Sequence, residues 1–146
     1  MKPSHGVGLL YDPQVDPRAA FLGTCFLIRD GETVMTAAHC IVDREPEQIR
    51  VALPYSAAPG IAFEVVQIWR HPESDVALLR IDTSATNVTL YPYGGPNKLF
   101  FAGEGVVAMG FAREAKVDGN LDYPLRRFTG NLQRGCMFEG HDPPFS

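Results

Sequence analysis

The stretch Val34-Met35-Thr36-Ala37-Ala38-His39-Cys40 decides how this chain is read. Two apolar residues and a threonine form a β-compatible run, and two alanines then let neighbouring chain approach closely. His39 stands where the strand pattern stops. A histidine at the end of a buried element is held by a rigid scaffold yet open to a cleft on one side, which suits a general base. Such a base needs a group that fixes its tautomer. The stretch His71-Pro72-Glu73-Ser74-Asp75-Val76-Ala77-Leu78-Leu79-Arg80-Ile81 offers one, because a short polar turn ends in Asp75 and an almost unbroken apolar run follows. A carboxylate leading a buried strand needs a partner, since an unpaired buried charge is very costly. An imidazole bonded to it through one nitrogen presents the other as a proton acceptor. His39 and Asp75 are therefore the candidate catalytic pair, predicted to lie about 2.6–3.2 Å apart.

Thr36-Ala37-Ala38-His39-Cys40 and Ser74-Asp75-Val76-Ala77-Leu78-Leu79 resemble the histidine and aspartate motifs of the trypsin-like (chymotrypsin-fold) serine peptidases. Gly23-Thr24-Cys25-Phe26-Leu27-Ile28 resembles that family's strand-opening motif. The three motifs stand in the family's order, and the resemblance extends from Val7 to about Phe138. It implies an all-β fold of antiparallel barrels and endopeptidase chemistry through an acyl-enzyme, acting on a protein or peptide substrate. In that reading His39 is the general base and Asp75 its orienting carboxylate.

The family also carries a serine in a Gly-x-Ser-Gly context well downstream of the aspartate, and this sequence has none. Its serines are Ser4, Ser56, Ser74, Ser84 and Ser146. None has the flanking glycines that make a sharp turn with free backbone amides for an oxyanion hole. The chain alone is therefore expected to be inactive. Residues 1–82 are expected to close a first barrel carrying His39 and Asp75, with 83–103 as a linker. Residues 104–146 would form part of a second barrel, completed by a C-terminal fragment or a partner chain. A reading of another class stands beside this one: a protease-derived interaction module that kept the pair and lost the chemistry.

Composition agrees with a β-rich domain. The chain has 146 residues, 45% of them hydrophobic, and its 14 glycines and 12 prolines imply many turns. The formal net charge is −4 and no basic run stands out, which argues against nucleic acid as a partner. No stretch is long enough to span a membrane, and the N-terminal residues carry no apolar signal core, so a cytoplasmic location is the expectation. The sequence lacks the paired Cys or His spacing of a metal site, and no cofactor is expected. Of the three cysteines, Cys40 matches the family cysteine that often bridges to the preceding strand, while Cys25 lies near, but not clearly at, the partner position. Read from the residues alone, free buried thiols are favoured. His5, His71 and His141 read as turn or loop histidines, and Cys136 as a structural thiol.

Along the chain, strands are expected at Val7–Leu10, Phe21–Arg29, Thr33–Ala38, Ile49–Leu53, Ile61–Trp69 and Val76–Ile81. A shift of apolar phase near Val65-Val66 suggests a bulge. Asp30-Gly31-Glu32 reads as a hairpin turn, and Ile41–Asp43 as one helical turn ended by Glu45-Pro46. Beyond the linker, Gly105–Phe111 and Leu125–Leu132 read as strands, Arg134–Phe138 as a further one, and residues 112–123 and 140–146 as loops.

Overall fold

The structure is a computed structural model that describes residues 3–16, 19–28, 30–87, 89–90, 99–100, 103–111, 125–131 and 136–137. Six strands close on themselves in the order β1-β2-β3-β6-β5-β4. They are β1 (Val7–Tyr11), β2 (Phe21–Leu27), β3 (Thr33–Thr36), β4 (Arg50–Ala52), β5 (Ala62–Arg70) and β6 (Ala77–Ile81). Every neighbouring pair in the ring is antiparallel. Closure gives each backbone ladder a partner and leaves no edge in this barrel. Among the described residues four further strands follow: β7 (Leu99–Phe100), β8 (Gly105–Phe111), β9 (Leu125–Asn131) and β10 (Cys136–Met137). β8 pairs with β9 and β10 with β7, as two separate two-stranded sheets. A complete first barrel and a partial second unit are thus present. The expected loops at 112–123 and 140–146, and with them His141 and Ser146, lie outside the described residues.

The period-two alternation of β1 shows how the sequence builds both units. Leu10 points into the barrel and joins a core with Val34, Ile49, Val51, Phe63 and Leu79. Its neighbour Leu9 points the other way, into a smaller cluster with Val7, Ala52 and Phe111 of β8. One strand therefore serves two apolar layers, with Leu9 and Leu10 both fully buried. A hydrogen bond strengthens the seam: the Phe111 backbone N–H donates to Thr24 Oγ1 at 2.8 Å.

The β2–β3 turn follows its local chemistry. Gly31 has φ +71°, and a Cβ there would stand 2.5 Å from the Leu90 carbonyl oxygen. Asp30 Oδ1 accepts from the amides of Glu32 and Thr33, each at 2.8 Å. The bulge expected near Val65-Val66 is present, since the β5–β6 register shifts between Val65 and Gln67. Most strand boundaries differ from the sequence reading by one or two residues, and the difference that matters for the site follows β3. β3 stops at Thr36, and a 3₁₀ turn over Ala38–Ile41 follows instead of a turn at 41–43. The Cys40 amide bonds the Ala37 carbonyl at 3.0 Å, which starts the turn early. The Glu45-Pro46 step opens a second 3₁₀ turn, Pro46–Gln48, with Pro at its start and reciprocal capping between Glu45 and Gln48.

Candidate active site

Register alone brings the two motifs to one rim of the barrel. In the antiparallel β3–β6 pair, Thr36 lies opposite Ala77. Chain leaving β3 after Thr36 and chain entering β6 before Ala77 therefore meet at the same end. Thr36 Oγ1 donates to the Thr24 carbonyl at 2.8 Å and ties this end of β3 to β2. His39 sits in the 3₁₀ turn just past β3, and Asp75 in the loop just before β6.

The carboxylate grips His39 twice. Asp75 Oδ2 lies 2.6 Å from His39 Nδ1, and Oδ1 accepts the His39 backbone N–H at 2.8 Å. With Asp75 as a carboxylate, Nδ1 carries the proton and Nε2 is left with its lone pair. No described residue hydrogen-bonds Nε2. The side chains are 74% and 55% exposed for His39 and Asp75. Asp75 is thus not the buried charge expected from sequence. It stands exposed in the bend before β6, and hydrogen bonding rather than burial accounts for the pairing. The His39 side-chain bond, then the His39 backbone bond, hold the Asp75 carboxyl below its ordinary value of 3.8 against a smaller opposing desolvation.

A second layer holds both loops. Arg70 at the end of β5 lies opposite Ala77, on the same rim. Its Nη2 donates to the carbonyls of Ile41 at 3.0 Å and Arg44 at 2.9 Å, so it anchors the chain that leaves His39. Arg44 in turn pairs with the buried Asp12 at 3.4 Å. The Asp75 loop is closed at its base by the His71 amide bonding the Val76 carbonyl at 2.9 Å. His71 Nδ1 accepts the amides of Glu73 at 3.0 Å and Ser74 at 2.9 Å. Sequence reasoning read His71 only as a turn residue and did not single out Arg70. Their roles depend on which strand ends share a rim, and no local motif carries that information.

The cysteines and serines complete the picture. Cys25 and Cys40 are free thiols. A Cβ on Gly23 would lie 2.6 Å from Cys40 Sγ, whereas a Cβ on Gly8 would lie 2.7 Å from Cys25 Sγ. Cys40 thus packs over Gly23 of β2, and Cys25 packs against β1. Burial pushes the Cys25 thiol up, with Cys40 adding to the effect, so Cys25 stays protonated. None of Ser4, Ser56, Ser74 and Ser84 hydrogen-bonds His39. Ser56 Oγ is instead engaged with the Leu53 carbonyl at 2.7 Å. Among the described residues no cluster of His, Cys, Asp or Glu has metal-site geometry, and no described helix is long and apolar enough to cross a membrane. Two surface clefts, of about 210 and 360 Å³, are lined by neither His39 nor Asp75.

A closed six-stranded antiparallel barrel with His39 and Asp75 on one rim defines a trypsin-like class of protein. Residues 23–134 match the family model of the trypsin-like peptidase domain, and the chain belongs to that family. Among solved structures it is similar to the VesB protease of Vibrio cholerae, at 16% identity and a TM-score of 0.59 over 87% of this chain and 40% of that one. It is also similar to the HtrA-type protease AlgW, solved with a decapeptide, at 18% identity and a TM-score of 0.59 over 90% and 43%. The chain therefore spans less than half the length of either structure. No characterised protein sequence matches it at a significant level.

Proposed function

We propose that this chain is the base-bearing part of a trypsin-like serine endopeptidase. The observation that carries the reading is the double grip of Asp75 on His39, which leaves Nε2 facing solvent as a proton acceptor. In the reaction, a serine hydroxyl attacks the scissile carbonyl while His39 Nε2 takes its proton. His39 then donates that proton to the leaving amine, and a water repeats the sequence to release the acyl group. Asp75 keeps the proton on Nδ1 and stabilises the imidazolium. The nucleophile and the oxyanion hole come from residues outside this sequence, since none of its five serines has the required glycine context. Those residues also complete the second barrel and supply most of the substrate pocket, whose ligand is a protein or peptide.

Among the described residues no serine bonds His39, and this observation favours the second reading, a protease-like interaction module without activity. Peptide hydrolysis separates the two. The natural-length protein should cleave an unstructured polypeptide, the 146 residues alone should not, and His39→Ala should abolish the activity. A natural-length protein that is folded but inactive on varied peptides favours the module.

A further inference from the structure

We propose that His71 is a positioning residue for the candidate pair: its Nδ1 gathers the amides of Glu73 and Ser74 into the turn that presents Asp75 to His39. This inference rests on the peptidase reading of His39 and Asp75. The geometry is that of a side-chain-capped turn. One acceptor at its first residue receives N–H groups two and three residues on, at 3.0 and 2.9 Å, as an Asn or Asp oxygen does in an Asx turn. The same residue closes the loop through its own backbone, its amide bonding the Val76 carbonyl at 2.9 Å. The Val76 amide returns to the Ser74 carbonyl at 2.8 Å. Asp75 lies between Ser74 and Val76, so these bonds, all within the loop, shape its immediate backbone. Trp69 fixes the ring from the side, its centroid 5.7 Å from that of His71 and nearly perpendicular.

The arrangement demands one chemical state of His71. A ring nitrogen accepts hydrogen bonds only when it carries no proton, so His71 must be neutral with its proton on Nε2. His39 requires the opposite tautomer, with the proton on Nδ1 facing Asp75. Two histidines in neighbouring loops are thus assigned opposite tautomers by their partners.

Nitrogen NMR of the ring atoms in the 146-residue chain, at a pH where the imidazoles are neutral, reads both states at once and needs no nucleophile. In the wild type, His39 should be protonated on Nδ1 and His71 on Nε2. In His71→Ala the His39 nitrogens should shift toward the mixture of a free imidazole, because Asp75 no longer sits squarely against Nδ1. His71→Asn, whose Oδ1 can accept the same two amides, should retain the wild-type His39 tautomer. A general loss of structure would not be rescued in this way. A His71 protonated on Nδ1 in the wild type overturns the proposal even if the alanine variant does not fold. So does an unchanged His39 tautomer in His71→Ala, or an asparagine variant that behaves like alanine. A wild-type His39 without its proton on Nδ1 sinks the pair itself and the peptidase reading with it. An intact pair that ignores His71 sinks this inference alone.

Discussion

In the proposed peptidase Asp75 acts by orientation, and its replacement by Asn isolates that role. The amide keeps the size of the carboxylate, but its NH₂ can face Nδ1 and favour the wrong imidazole tautomer. In the proposed longer enzyme, Asp75→Asn is expected to lower kcat by about four orders of magnitude with a much smaller change in KM, as measured by steady-state kinetics. The pair also links stability to pH. Its folded pKa is lowered by the bonds from His39, so the linked stability is fully present above the ordinary value of 3.8 and is lost as pH falls through the lower folded value. Denaturant titrations of wild type and Asp75→Asn should therefore differ near neutrality and converge in acid. Asp82 is depressed too, by its bonds from Ser84, but it is present in both proteins, so its contribution cancels in the comparison. The cysteines make a further residue-scale case. Because Cys40 packs over Gly23, Gly23→Ala should destabilise the protein, by about 1–3 kcal/mol, and much less in a Cys40→Ala background. Additive effects of the two substitutions in a double-mutant cycle would show that the contact is not made.

At the scale of elements, the strands were legible because β-barrels write a strong local pattern. Alternation over Ile49–Leu53 around β4, the Asp30-Gly31 turn and the apolar run of β6 each follow from side-chain chemistry that a few residues carry. Even the bulge in β5 shows as a slip in the apolar phase. The chain between strands was less legible. Ala37-Ala38 fits a strand end and a helical turn equally well, and a single backbone bond from Cys40 to Ala37 decides for the turn. The pairing of Asp75 with His39 was legible from sequence for a reason that turned out incomplete: the carboxylate is paired, yet well exposed. Arg70 was not found, because its two carbonyl partners lie 29 and 26 residues away and only the rim brings them together. Arg70→Leu should loosen the 41–44 segment and so lower both stability and catalysis. Hydrogen exchange should show the amides of residues 39–44 losing protection while those of β1 and β2 keep it. Equal loss across the barrel would indicate a global effect and remove Arg70 from the account.

At the scale of the whole molecule, the closed barrel has a fully buried interior, while the two-stranded β8–β9 sheet carries large exposed apolar side chains. Phe63, Leu79 and Val51 are fully buried in the barrel, whereas Val107 of β8 and Phe128 of β9 are 57% and 64% exposed. Large exposed apolar side chains on a two-stranded sheet invite a further layer, and in the proposed enzyme that layer is the segment bearing the nucleophile. The central claim is that His39 is a base whose serine lies outside this sequence. The most direct measurement is the intact mass after treatment with a serine-directed fluorophosphonate. A single adduct is expected on the proposed longer protein, lost in His39→Ala, and none on the 146 residues alone. A His39-dependent adduct on the 146-residue chain, or none on the folded longer protein, would contradict that claim.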